Sequence, residues 1–142
     1  MIQELYALGA NRSATFNRAF LDRFLPDRKP CSQDYPVPEA AAEPEAILET
    51  ESEILVYLES HPKEPYGLYW NDAAPSTYDQ AMLFYTSDGM VIFGLACGEH
   101  LVEEKLKELR ECVGAKWAMK GWEQRPPETS TEFIKLCQQA GT

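Results

Sequence analysis

The sequence predicts an α+β domain with a mainly antiparallel sheet of about four strands, a central Asp-Gly hairpin and flanking helices. Three observations carry this. Apolar residues recur at helical spacing near both ends of the chain. Two apolar runs, Gln80–Thr86 and Met90–Ala96, flank Asp88-Gly89, the dipeptide that suits a tight hairpin turn. A chain of 142 residues is the size of one domain.

From the N-terminus, Ile2 to Leu8 reads as a short helical turn ending at Gly9. Residues 13–25 place Phe16, Phe20 and Phe24 four apart, with Leu21 and Leu25 beside them. They form one helix face, opened by Asn11 or Ser13 and stopped before Pro26. Residues 26–44 hold five prolines, which remove donors and restrict φ, so this stretch is an extended connector inside the domain. Glu45 to Ser60 favours a helix, with Ile47/Ile54 and Leu48/Leu55 seven apart and Glu45, Glu49 and Glu53 on another face. The competing reading is a strand over 53–59.

Strands follow at Tyr66–Trp70, Gln80–Thr86 and Met90–Ala96. If Ser87 pairs with Met90, then Thr86/Val91, Phe84/Phe93 and Met82/Leu95 share one face, and Tyr85/Ile92 and Leu83/Gly94 share the other. Both faces are apolar, so the hairpin is expected to be central and covered twice. Gly94 then leaves a notch beside Leu83 for a tryptophan or a helix. Residues 99–113 form an amphipathic helix stopped by Gly114. Ala115–Glu123 alternates with Lys116 and Lys120 on one face, as an edge strand does. Thr129 and Glu132 make a capping box for a last helix carrying Phe133, Leu136 and Cys137.

Thirteen basic residues face 23 acidic ones, a net charge of -10. Such a field repels phosphate backbones and argues against nucleic acid as a partner. The acidity is local. Residues 31–72 hold ten acidic groups and one basic, Lys63. No apolar run is long enough to span a membrane. The start, Met-Ile-Gln-Glu-Leu-Tyr, has an acid where a signal peptide carries lysines, so a cytoplasmic protein is expected. Cys31, Cys97, Cys112 and Cys137 form no C-x-x-C pair and, with His61 and His100, no zinc set. They are expected to be reduced core thiols. No nucleotide, metal or cofactor motif occurs.

Chemistry has two weak candidates. Cys97-Gly98-Glu99-His100 brings a thiol and an imidazole together at a strand-to-helix turn, the basis of an alternative reading as a small cysteine enzyme. Glu51 lies in the middle of an apolar stripe, an odd place for a solvated acid. Pairs such as Glu103/Glu104 diverge around a helix and suit a solvated face. The stretch from His61 to Gln80 interleaves aromatics with carboxylates, the composition of a protein interface. The expected partner-binding residues are Asp34, Tyr35, Glu64, Tyr66, Asn71, Asp72, Tyr78 and Asp79, on loops or strand ends.

The stretch YGLYWNDAAPSTYDQAMLFYTSDGMVIFGLACGE, preceded by a helix ending in YLESHP, resembles the central part of small bacterial immunity proteins. Those proteins are encoded beside secreted antibacterial toxins, in type VI secretion and polymorphic toxin systems. The shared features are a helix, a tyrosine–tryptophan strand, an aliphatic strand closed by Thr-Ser-Asp-Gly and a second aliphatic strand, over roughly residues 50–100. The resemblance implies neutralisation of a cognate toxin by tight binding, with no catalytic residues. Together with the acidity of residues 31–72 it leads to the expectation of a non-enzymatic protein that occludes the active site of a toxin with a basic surface. A homodimeric adaptor is a further alternative, although the lysines of the edge strand oppose edge pairing.

Overall fold

A computed structural model of the chain describes residues 2–10, 12–74, 79–121 and 125–140. In it the chain starts with a strand, β1 (Ile2–Gly9), not with the expected helical turn. Leu5 and Ala7 face one side and Tyr6 and Leu8 the other, and all four are buried. Two-sided burial erases the polar alternation by which a strand is usually recognised.

Helix α1 (Ala14–Phe24) follows, with the Ser13 hydroxyl accepting the Phe16 N–H at 3.1 Å. The proline-rich stretch is not element-free. It contributes strand β2 (Arg28–Pro30) and strand β3 (Tyr35–Val37). Strand β4 (Ala46–Leu48) pairs with β3, so the helix expected from Glu45 begins only at Glu51, as α2 (Glu51–Ser60). Its start is set by a Thr50/Glu53 capping box: the Thr50 hydroxyl accepts the Glu53 N–H at 3.1 Å. Residues 53–59 are helical, so the strand alternative is not realised.

Strands β5 (Tyr66–Asp72), β6 (Gln80–Tyr85) and β7 (Val91–Gly98) come next. A short 3-10 turn (Glu99–Leu101), helix α3 (Val102–Val113), strand β8 (Ala118–Lys120) and helix α4 (Ser130–Gln139) complete the order. The main sheet runs β2-β5-β6-β7-β1-β8 and is antiparallel throughout. It has six strands, and β3-β4 form a separate pair, where about four strands were expected. The surplus comes from β1 and from short strands in the connector, too brief to show a period.

The two-residue Asp88-Gly89 turn expected between β6 and β7 is not what forms. Thr86 pairs with Met90: the Thr86 N–H donates to the Met90 carbonyl at 2.9 Å, and the Met90 N–H donates to the Thr86 hydroxyl at 2.8 Å. Ser87–Gly89 is the loop, with Gly89 at φ +91°. Every cross-strand pair therefore shifts by one: Phe84 opposes Ile92, Leu83 opposes Phe93 and Met82 opposes Gly94. The notch at Gly94 is filled by Tyr6, since a Cβ there would come within 3.1 Å of the Tyr6 ring.

The sheet is covered on both faces. On one side Leu5, Leu83, Phe93 and Leu95 join Phe20 and Leu21 of α1, Ile54, Leu55 and Leu58 of α2, and Val102 and Leu109 of α3. On the other, Tyr6, Met82, Phe84 and Ile92 meet Phe133 and Cys137 of α4. Each of the three fully buried α2 side chains contributes about 1.5–3 kcal/mol, enough to hold the helix in place. Strand β8 is a sheet edge, with Lys120 directed to Glu103 at 3.1 Å.

Candidate functional site

Cys97 sits on β7, 3% exposed, where burial pushes its thiol pKa up and Asp79 adds to the shift against Lys105. That is the reverse of an activated nucleophile. His100 folds back on the chain: a Cβ at Gly98 would lie 2.8 Å from its Cε1. Among the described residues no hydrogen bond joins the two side chains. The cleft that Cys97 lines with Asp79, Gln80 and Lys105 has room for about 20 Å³, little more than one water. Cys137 is also buried, whereas Cys31 is exposed and Cys112 half-buried, so the expected core role holds for two of the four thiols.

Glu51 serves a structural purpose. Its carboxylate takes both Arg28 Nε at 3.0 Å and Arg28 Nη2 at 2.7 Å, tying β2 to the start of α2. This hydrogen bonding raises the Arg28 pKa further. Asp22 completes the cluster at 2.9 Å.

The eight residues expected to bind a partner separate into two groups at opposite ends of β5, about 20 Å apart for a strand of this length. At one end Tyr35 and Tyr66 are core residues, 5% and 4% exposed, and the Tyr66 hydroxyl donates to the Pro36 carbonyl at 2.7 Å. Their rings are not at the surface, which removes the aromatic part of that patch. Asp34 is exposed and Glu64 half-buried. At the other end the Asn71 side-chain oxygen accepts from Gln80 at 2.7 Å, and Asp72 accepts the Ala74 N–H at 3.0 Å. Asp79 is half-buried, with its carbonyl accepting the Asp72 N–H. Tyr78 lies outside the described residues.

Exposed acids of the segment flank β4 and the start of α2: Glu45 precedes the strand, Glu49 follows it and Glu53 lies in the first turn of the helix. Leu48, Ser52, Glu53, Val56 and Tyr57 line an open, mainly apolar groove between the strand and the helix. Val56 is 56% exposed, although Ile54, Leu55 and Leu58 of the same helix are fully buried. The Tyr57 ring stacks on His61, with centroids 3.9 Å apart and planes within 17°, and the His61 Nδ1 hydrogen-bonds the Tyr57 carbonyl at 2.7 Å. Partial burial raises the Tyr57 pKa, and the negative charges of Glu64 and Glu45 raise it further. Among the described residues no Lys or Arg forms an ion pair with Glu43, Glu45, Glu49 or Glu53. Arg18 donates to the hydroxyl of Ser52, one of the lining residues, at 3.0 Å.

Val56 and Tyr57 are the residues that sequence reasoning passed over. The available signal was a valine beside the buried stripe, on the helix face shared by Ser52, Glu53 and Ser60. Among the described residues no group of three or more His, Cys, Asp or Glu side chains is placed to hold a metal ion, and no helix is long and apolar enough to cross a membrane. Comparison with family models, with curated proteins and with solved structures found no match for this chain.

Proposed function

We propose that the chain is an immunity protein that binds a cognate, basic antibacterial toxin and occludes its active site. The observation that carries this reading is the row of exposed carboxylates at Glu43, Glu45, Glu49 and Glu53 that no cation of the described chain neutralises. Carboxylates so placed steer a positively charged partner into encounter, while apolar contacts set how long it stays. The resemblance of residues 50–100 to immunity proteins points the same way.

The test is protection. Cells expressing a toxin encoded beside this gene should survive when this chain is co-produced, and the two proteins should co-purify as a complex. Death of the co-producing cells at normal levels of folded chain would overturn the reading. The cysteine-enzyme alternative is disfavoured by the buried, pKa-raised Cys97.

A further inference from the structure

We infer that the groove between β4 and α2 is the docking surface for a basic protein partner, and that it takes an apolar or aromatic anchor flanked by Arg or Lys. The inference rests on the reading of the chain as a binding protein and adds the surface and the chemistry of its occupant.

The first argument is the exposed apolar surface. Among the described residues the large hydrophobics that stand exposed are Ile2, Ile47 and Val56, and of these Val56 lines the groove. Val56 shares its helix with three residues that are 0% exposed, so the chain buries apolar surface here wherever it packs inward. Leu48 and Tyr57 continue the apolar floor from the core outward, each half-buried and packed against it. An anchor seated between them would remove Val56 from water at about 25 cal/mol for each Å² covered.

The second argument is charge complementarity, and it names the occupant. Glu53 lines the groove and Glu45 and Glu49 flank β4 in sequence, whereas Arg18 is turned to Ser52 and Glu51. A guanidinium or ammonium brought over this rim would meet carboxylates and the Tyr57 ring. An acidic partner would meet like charge, and so would a second copy of this chain, since each copy carries -10. The His61 ring stacked on Tyr57 leaves that aromatic little freedom, so little rotamer entropy remains to be lost on binding.

The test titrates the full-length chain with the capped peptides acetyl-Arg-Trp-Arg-amide and acetyl-Glu-Trp-Glu-amide, read by the methyl resonances of Leu48 and Val56 and the ring resonances of Tyr57. The basic peptide should move these signals and the acidic one should not. Val56→Ser, at an exposed position that folding does not need, should weaken the basic peptide about tenfold. Unmoved signals up to millimolar peptide would overturn the inference, as would equal response to the acidic peptide or unchanged binding to Val56→Ser. Sedimentation that finds a dimer dissolved by Val56→Glu would overturn it too, by giving the groove to a second copy. The two readings fail separately. Loss of toxin protection with intact peptide binding defeats the proposed function alone, and full protection by Val56→Arg defeats the groove alone.

Discussion

Arg12 joins segments distant in sequence through a single guanidinium. Its Nη1 donates to the carbonyls of Leu58 at 3.0 Å and His61 at 2.7 Å, and its Nη2 donates to Glu64 at 2.9 Å and to Thr86. The group lies 5.1 Å from the centre of the Tyr85 ring and is 5% exposed. Burial lowers its pKa, and the negative potential of Tyr85, Glu64 and Asp88 partly restores it. Two of the four carbonyls, Leu58 and the cap residue His61, lie at the end of α2, so the cation adds a second donor to groups that already accept the His61 and Glu64 N–H, and it lies at the negative end of the helix dipole. Arg12→Ala is expected to lower stability by about 2 kcal/mol, because the Glu64 carbonyl loses its donor, and the Leu58, His61 and Thr86 carbonyls are left with only the N–H groups of His61, Glu64 and Gly89. Urea unfolding would check this, and a loss under about 1 kcal/mol would mean water replaces the guanidinium. Nothing near Arg12 in sequence announces the role, because its partners lie 46 to 74 residues away. Gly67 makes a second test. Its missing Cβ leaves space for Arg125, whose Cζ would be 2.7 Å from it, and Arg125 pairs with Glu39 at 2.6 Å. Gly67→Ala should displace that pair and cost about 1 kcal/mol, the scale of a partly exposed ion pair.

The ends of elements show most clearly what local sequence reveals and what it hides. Helices α1, α3 and α4 were legible because each combines a period near 3.6 with a cap or stop, such as Ser13, Gly114 or Thr129. The boundary between β4 and α2 was equally present in Thr50-x-x-Glu53, but the spacing of Ile47 and Leu48 with Ile54 and Leu55 masked it by imitating a longer helix. The β6–β7 register was hidden for a different reason. Asp88 does not serve the turn alone: its carboxylate accepts the Ser130 N–H at 3.0 Å and the Ser130 hydroxyl at 2.6 Å, at the start of α4 and 42 residues away. Burial pushes the Asp88 pKa up, but the hydrogen bonds from Ser130 and Thr86 outweigh it and hold the carboxyl below its usual value. A depressed folded-state pKa contributes stability that is fully present above the unfolded value, about 3.9, and is lost as pH falls through the folded one. Asp88→Asn should therefore cost about 1 kcal/mol at neutral pH and flatten the acid limb of the stability profile below about pH 4. Thermal melts of both proteins across that range would show it. An unchanged acid limb would assign it to other carboxylates.

At the scale of the whole molecule, the α+β class follows from two apolar strands joined by a short turn, with helical segments near both ends of the chain, but the strand order does not. β1 inserts between β7 and β8, a placement decided by which apolar faces fit together rather than by any local pattern. The candidate interface was half legible for a related reason. Composition locates the acid in residues 31–72. It does not tell that Tyr35 and Tyr66 turn inward while Val56 turns outward. The field of the molecule supplies the last prediction. Glu45, Glu49 and Glu53 lie on one side of a chain of net charge -10, so their potentials add at the distance of an approaching partner. Short-range contacts act later, once the groove is filled. Replacing the three by Gln keeps their size, and keeps the α2 capping box, which accepts Gln in place of Glu. This variant should lose mainly association rate with a basic partner, about tenfold at low salt and little above the ionic strength where the Debye length falls to about 3 Å. Val56→Ser should act in the opposite way, leaving association nearly unchanged and speeding dissociation. Stopped-flow association and surface-plasmon dissociation at two salt concentrations separate the two effects. A charge-neutral variant that associates at the wild-type rate at low salt would show that the acidic face does not guide the encounter.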